Sequence, residues 1–344
     1  MSNLIQNKKN NDTIDLAKFI GSIMVFAMHV GAFGSFGKFD FIWQLLTRWV
    51  VPFFFITSSF FLFSKIEKCE SEDEKRKGIK KYCLRIFYLY IAWFIYNIPS
   101  IFFSRFYTVG MKDPSTWLTF IKRIFLCSTF MGSWYLVSSI FCALVIFLLS
   151  KKLKTRYIIL IAFVFEAIGI MTSAYYGLVP PAAKNVLDFL MFPLNIFGGL
   201  LYFSIGKWIA ENIEIIKSIS VRKSTAAAAL FYIMYFIEIT LAQKASVCNM
   251  TDKAFMLIPI SICIVIICLN KQTELKSARK LRKYSIIIYC AQGNILLISE
   301  VPDKLLGIHF SLVKLLVGAV LTVIVIIVIN YLQKTKYKCF RYFT

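Results

Sequence analysis

Three ionisable residues interrupt an apolar run near the start of the chain. The segment 15–30, DLAKFIGSIMVFAMHV, contains Asp15, Lys18 and His29, and His29 is one of only two histidines in 344 residues. At about 100° and 1.5 Å per residue, Lys18 and His29 share one face of a helix and lie about 16 Å apart along its axis. Such a histidine can accept a proton near neutral pH, and such a lysine can bind an anion.

Each of these residues also has a purely structural interpretation. Asp15 lies three positions before Lys18 and can pair with it. Lys18 can extend to the inner headgroups, and His29 can form a hydrogen bond to a neighbouring helix.

Arg48 lies in the next apolar run, at a depth from the outer side comparable with that of His29. Because a buried arginine is costly unless it is paired or faces water, we predict that His29 and Arg48 share an outer cavity.

The composition is that of a membrane protein. Hydrophobic residues make up 58% of the chain and charged residues 17%, whereas soluble domains have about 45–50% and about 25%. The net charge of +22 comes from basic residues in short loops between apolar runs, which argues against nucleic acid as a partner. Nine cysteines lie mostly within apolar runs and form no CxxC pair, so neither a disulfide framework nor a metal site is expected.

Apolar runs long enough to cross a bilayer predict an all-α, polytopic integral membrane protein with about ten transmembrane helices. No long polar block separates the runs, so residues 1–344 are expected to form a single membrane-embedded domain with no extra soluble domain. The stretch 70–81, ESEDEKRKGIKK, mixes both signs of charge and is predicted to be a solvated connection. The predicted spans are 14–34, 41–64, 82–103, 132–150, 157–176, 186–209, 225–242, 254–270, 285–302 and 312–332.

The distribution of basic residues predicts the orientation of these spans. The two termini and the loops on their side contain 26 Lys and Arg residues, and the loops on the other side contain 6. Cytoplasmic loops carry the excess of Lys and Arg in membrane proteins. We therefore expect a multi-pass protein of the cell membrane with both termini in the cytoplasm.

Six sequence elements, taken in order, resemble the signature of the acyltransferase-3 family of integral membrane acyltransferases. The first is D-L-x-K-x10-H at 15–29, in which Lys18 occupies a position where arginine is usual. The last is SIIIYCAQ at 285–292, in which Gln292 stands where histidine is common. Between them lie RWVVPFFFITSSFFLF at 48–63, KKYCLRIFYLYIAWFIY at 80–96, SWYLVSSI at 133–140 and FPLNIFGGLLYFSIGKWI at 192–209.

The resemblance implies a reaction. Members of this family move an acyl group, most often acetyl, from cytosolic acyl-CoA to a hydroxyl of a cell-surface glycan or its lipid-linked precursor. Acyl-CoA (acetyl-CoA) is therefore expected as a co-substrate, without a permanently bound cofactor, and the expected partners are membrane lipid, acyl-CoA and that acceptor. Some relatives carry an extracellular esterase-like domain that completes the transfer. Because no such domain is expected here, this chain is expected to acylate directly or to use a separate extracytoplasmic transfer partner.

The resemblance also implies roles for particular residues. His29 as general base and Arg48 as the group that stabilises an oxyanion are the catalytic candidates. Lys18 and Arg85 are the candidates for binding the phosphates of coenzyme A. The substrate-binding candidates are Glu238, Trp134, Tyr135 and Gln292.

Structural alternatives remain open for most of these candidates. Arg85 can anchor the cytoplasmic interface, and Trp134 and Tyr135 can belong to the aromatic belt of the membrane surface. Glu166 and Glu238 are lone acids within predicted spans and can be packing residues.

Two other functions are compatible with the same pattern. Ten helices with buried charges suit a transporter or flippase, although no matching Gly- or Pro-broken helices are apparent in the two halves. An uptake or sensor module that has lost catalysis is the second alternative, because Lys18, Ser59 and Gln292 depart from the family pattern.

Overall fold

The computed structural model describes residues 11–103, 117–118, 120–121, 123, 129–194, 197–271, 273–301, 311–335 and 338–344, and within them it contains helices and no strand. The all-α prediction is therefore confirmed. The α-helices are α1 Asp12–His29, α2 Lys38–Thr47, α3 Val50–Ile66, α4 Glu72–Tyr96, α5 Ile98–Ile101, α6 Ser133–Leu149, α7 Thr155–Met171, α8 Pro181–Leu194, α9 Leu200–Glu211, α10 Ile213–Ser218, α11 Val221–Lys244, α12 Leu257–Asn270, α13 Ala278–Cys290, α14 Gln292–Ser299 and α15 Ser311–Leu332.

Three helical segments in the described part are long and apolar enough to cross a membrane. They are Lys38–Ile66, which combines α2 and α3, together with α11 and α15, and their mean hydropathies are 1.6, 1.7 and 3.1. Helices α6 and α12 are apolar but shorter. These segments support a membrane protein, whereas the count of about ten spans stays a prediction.

Helix α4 begins earlier than the hydropathy pattern indicates. The stretch 70–81 is mostly exposed, as expected of a solvated segment, but it is helical from Glu72 onward, because α4 extends from Glu72 to Tyr96. The side chain of Ser71 accepts a hydrogen bond of 3.2 Å from the backbone N–H of Glu74, which caps the helix. Acidic residues in the first turn interact favourably with the positive end of the helix dipole. Local capping therefore extends this helix beyond its apolar part.

Helix α1 is attached along its length to α13. Asp15 is 1% exposed, and its two carboxylate oxygens accept hydrogen bonds of 2.8 and 2.6 Å from the guanidinium of Arg282. The expected pairing of Asp15 with Lys18 is thus corrected, since a bidentate arginine pair is geometrically stronger than an i,i+3 contact. One turn further along, the hydroxyl of Ser285 donates to the backbone carbonyl of Lys18 at 2.9 Å.

Two of the predicted spans are interrupted helices. The third predicted span breaks at Asn97, between α4 and α5, because Pro99 has no N–H and its ring would clash with the preceding turn. The ninth breaks at Ala291, between α13 and α14, where Gly293 is the second residue of α14. Helices α5 and α14 contact each other, so the two interruptions lie side by side.

Candidate active site

A cavity of about 760 Å³ lies among α1, α3, α5, α6, α7, α9 and α14. Its wall includes both catalytic candidates, His29 from the end of α1 and Arg48 from the junction of α2 and α3. The predicted shared cavity therefore exists, and the two side chains are close enough to interact electrostatically. Most of the remaining wall is apolar or aromatic, which is typical of a small-molecule site.

The imidazole of His29 is held from behind by Gln292. The Nδ1 atom of His29 lies 2.5 Å from Oε1 of Gln292, whose side chain is 1% exposed. An amide oxygen only accepts, so this contact places the hydrogen of the neutral ring on Nδ1 and leaves a lone pair on Nε2. The prediction for Gln292 is substrate binding, whereas the structure places this residue behind the histidine and not on the cavity wall.

Arg48 occupies the break between two helices. Helix α2 ends at Thr47 and α3 begins at Val50, so the side chain of Arg48 leaves the chain where the helix is interrupted. Its Nη2 donates a 3.3 Å hydrogen bond to the hydroxyl of Thr251. Its Nε is buried and has no hydrogen-bond partner among the described residues. Because Arg48 lines the cavity, its guanidinium can donate to an anion there.

A second charged group lines the same cavity. Glu166 on α7 is 4% exposed and accepts a long hydrogen bond of 3.4 Å from the hydroxyl of Tyr202. Lys253 lies within electrostatic reach of Glu166, and Asp252 beside it accepts from Ser173 at 2.5 Å. Sequence reasoning finds Glu166 as an acid in an apolar run but misses Asp252 and Lys253. These two lie in a connection between α11 and α12 that carries no local signal of a site.

The aromatic pair of α6 is divided between the wall and the interior. Trp134 lies on the cavity wall, with its ring centroid 5.6 Å from that of Phe55. Tyr135 points away from the wall, where its hydroxyl lies 2.7 Å from the hydroxyl of Ser58. Only Trp134 of this predicted pair is therefore placed to touch a ligand in the cavity.

The two candidates for coenzyme binding lie off the cavity wall, Lys18 in the N-terminal half of α1 and Arg85 near the middle of α4. The ammonium of Lys18 lies 5.5 Å from the ring centroid of Phe61 and within electrostatic reach of Arg85 and Arg282. Arg85 also lines an open groove together with Lys77, Lys80 and Lys81. Because Asp15 pairs with Arg282, the positive charge in this region comes from Lys18 and Arg85, which suits phosphate groups.

Glu238 lies outside the cavity wall. Its Oε1 accepts hydrogen bonds of 2.9 Å from the hydroxyl of Tyr175 and 2.9 Å from the backbone N–H of Phe255. Its Oε2 accepts one of 3.0 Å from the backbone N–H of Met256. The two backbone donors, Phe255 and Met256, lie just before α12, where the carboxylate satisfies unpaired N–H groups at a helix N-terminus.

Comparison with known proteins identifies the family. The family model described as an acyltransferase domain, acyltransferase-3, matches residues 11–331. The chain belongs to the acyltransferase-3 family. Family membership and the apolar helices together support a membrane acyltransferase, and the resemblance carried by the six sequence elements is confirmed.

Two curated relatives of this acyltransferase-3 protein come from Enterococcus faecalis, and both are named amino-acid racemase. The first is 31% identical over 209 residues, which is 58% of this chain and 28% of the relative. The second is 24% identical over 173 residues, which is 50% of this chain and 24% of the relative. The chain thus spans only about a quarter of the length of these relatives. No solved structure matches the chain.

Proposed function

We propose that this protein is a membrane O-acyltransferase that moves an acyl group, most simply acetyl, from cytosolic acyl-CoA to a hydroxyl of a cell-surface glycan or its lipid-linked precursor. The observation that carries the proposal is the joint position of His29 and Arg48 on one cavity, with Gln292 behind the imidazole. A base beside a cation with free donor capacity is the pair of groups that acyl transfer to a hydroxyl requires.

The proposed chemistry uses the lone pair on Nε2 of His29. As the acceptor oxygen attacks the thioester carbonyl, Nε2 takes its proton, and Gln292 accepts the hydrogen bond from Nδ1–H throughout. The guanidinium of Arg48 donates to the oxyanion that develops on the carbonyl oxygen. When the carbon–sulfur bond breaks, the imidazolium returns the proton to the coenzyme A thiolate. One ester bond forms and one thioester bond breaks, so protons and electrons balance.

Donor binding is assigned to the other end of α1. Lys18 and Arg85 would hold coenzyme A phosphates, and the pantetheine arm would extend along α1 toward His29 and carry the acyl thioester to it. The distance of about 16 Å between Lys18 and His29 along the helix axis is what an extended pantetheine arm could span. A covalent route, in which Nε2 carries the acyl group in transit, uses the same residues and remains part of the proposal.

Labelled acetyl-CoA tests this function directly. Inside-out membrane vesicles that contain the protein expose the side proposed to bind the donor, so label should enter a lipid-linked or glycan acceptor. Vesicles with the His29→Gln variant are the control and should transfer almost nothing. Equal labelling by both preparations would refute the proposed mechanism, and labelling by neither would refute the function.

Transport of a small zwitterion is the second candidate. The cavity wall carries both signs of charge, since Arg48, Lys253 and Glu166 all line it, and the two relatives described above are named for an activity on amino acids. This candidate predicts accumulation of a labelled amino acid in cells without consumption of acyl-CoA. Right-side-out vesicles that take up amino acid but transfer no acetyl label would favour it over the acyltransferase.

A further inference from the structure

The two interrupted helices are joined by reciprocal hydrogen bonds from two asparagine side chains. Asn97, at the end of α4, donates from Nδ2 to the backbone carbonyl of Cys290 at 3.0 Å, across the break after α13. Asn294, in α14, donates from Nδ2 to the carbonyl of Tyr96 at 2.5 Å and accepts from the backbone N–H of Ser100 at 3.0 Å. Each asparagine thus satisfies backbone groups that the break in the other helix leaves unpaired.

The contact between these helices is also sterically tight. A Cβ atom at Gly293 would lie 2.5 Å from Oδ1 of Asn97 and 2.7 Å from Oγ of Ser100. Glycine at this position leaves room for the side chains of Asn97 and Ser100. Asn97 is fully buried, so its amide is shielded from water. Within the membrane such hydrogen bonds have no competition from solvent, and the crossing is held in one arrangement.

Gln292 is the residue next to this contact and begins α14. It lies two positions after Cys290, whose carbonyl accepts from Asn97, and two before Asn294, whose side chain donates to Tyr96. The chain is thus attached to the α4–α5 break on both sides of Gln292. Its own side-chain Nε2 is buried and has no hydrogen-bond partner in the described part of the chain. Its side chain is therefore held through the contact of Oε1 with His29 and through the backbone at position 292, with no further hydrogen bond from Nε2.

We propose that Asn97 and Asn294 are positioning residues, which through Gln292 fix the orientation and the tautomer of His29. The inference rests on the proposed function, because it assigns His29 the role of base. Without both asparagines, the backbone at Gln292 can shift, and Oε1 no longer faces Nδ1. The hydrogen then moves to Nε2 in part of the population, and in that fraction the ring offers no lone pair to the acceptor hydroxyl.

The chain provides a matched control for this proposal. Asn270 at the end of α12 also donates from Nδ2 to two backbone carbonyls, those of Ile216 and Ile219, at 2.8 and 2.7 Å. Its Oδ1, like that of Asn97, is buried without a hydrogen-bond partner in the described residues. Asn270→Ala should therefore cost similar stability at a site that does not contact the cavity wall.

The kinetic test measures acetyl transfer by Asn97→Ala, Asn294→Ala and Asn270→Ala. We expect kcat to fall about 10–100-fold in the first two, because small misplacements of a catalytic group cost that much, with the KM for acetyl-CoA unchanged. Asn270→Ala should keep its kcat. Asn294→Asp keeps the acceptor for Ser100 but loses the donor to Tyr96, and serves if an alanine variant does not fold. Equal losses of kcat in all three alanine variants, or in none, would overturn the proposal.

A spectroscopic test does not depend on catalysis. With only two histidines in the chain, ring ¹⁵N labelling gives two sets of signals, and His29→Gln identifies those of His29. The unaltered protein should show the hydrogen on Nδ1, and the Asn97 and Asn294 variants should show both tautomers. An Nε2–H tautomer in the unaltered protein would contradict the proposal. If the tautomer shifts as expected but the unaltered protein transfers no acetyl, the positioning stands and the proposed function fails.

Discussion

His29→Gln removes the proposed base while it disturbs the surrounding structure least. In His29→Ala, Oε1 of the buried Gln292 loses its partner, and an unsatisfied buried polar group costs about 1–3 kcal/mol of stability. A glutamine at position 29 can still donate a hydrogen bond toward that oxygen. It cannot accept a proton from a hydroxyl, because an amide is not a base near neutral pH. The two variants therefore separate the chemical loss from the structural one.

The expected size of the chemical loss is about 10²–10⁴-fold in acetyl transfer, which is the usual contribution of a general base. At about 1.4 kcal/mol for each factor of ten, this is a rise of about 3–5 kcal/mol in the activation barrier. The assay is the initial rate of label transfer in inside-out vesicles, divided by the amount of folded protein from size-exclusion chromatography. A His29→Gln rate within threefold of the unaltered protein, at equal folded amount, would refute the assignment of His29 as base.

Three further outcomes are expected. Lys18→Ala should raise the KM for acyl-CoA about tenfold or more, because a charged hydrogen bond to phosphate is lost. Lys18→Arg should bind the donor at least as well as the unaltered protein. An unchanged KM in the alanine variant would leave interfacial anchoring as the role of Lys18. Glu238→Ala should lower the melting temperature, because the N–H groups of Phe255 and Met256 lose their hydrogen-bond acceptor. Acyl transfer per folded molecule should be unchanged. A raised KM for the acyl acceptor at an unchanged melting temperature would instead show that Glu238 binds substrate. Reporters fused to either terminus should be active only in the cytoplasm, and an external signal at the C-terminus would show that the number of spans is odd.

The features that could be predicted from the sequence are those with a local chemical signal. His29 and Arg48 are ionisable groups in apolar runs, and the rarity of such groups is enough to identify both as site candidates. The apolar runs likewise predict an all-helical chain. Helix ends are harder to predict from the sequence, because the start of α4 depends on the cap at Ser71 more than on hydropathy.

The partners of the site residues could not be predicted, since they come from distant parts of the chain. Asp15 pairs with an arginine 267 positions away, not with the lysine three positions along its own helix. Gln292 stands out in the sequence only as a departure from a family motif, and its contact with His29 is visible only in the structure. Asn97 gives no signal beyond its place before Pro99, because its purpose depends on a second helix break nearly 200 residues later.

The attachment of α1 to α13 has a consequence for how the protein is assembled. Asp15 and His29 are synthesised before their partners Arg282 and Gln292, which follow them by 267 and 263 residues. Until then Asp15 has no cation from α13, and nothing from α14 orients the imidazole. In the proposed mechanism, a nascent chain that ends before α14 therefore has the base without the contact that orients it. The order of synthesis thus delays the proposed acyl transfer until α14 has been added.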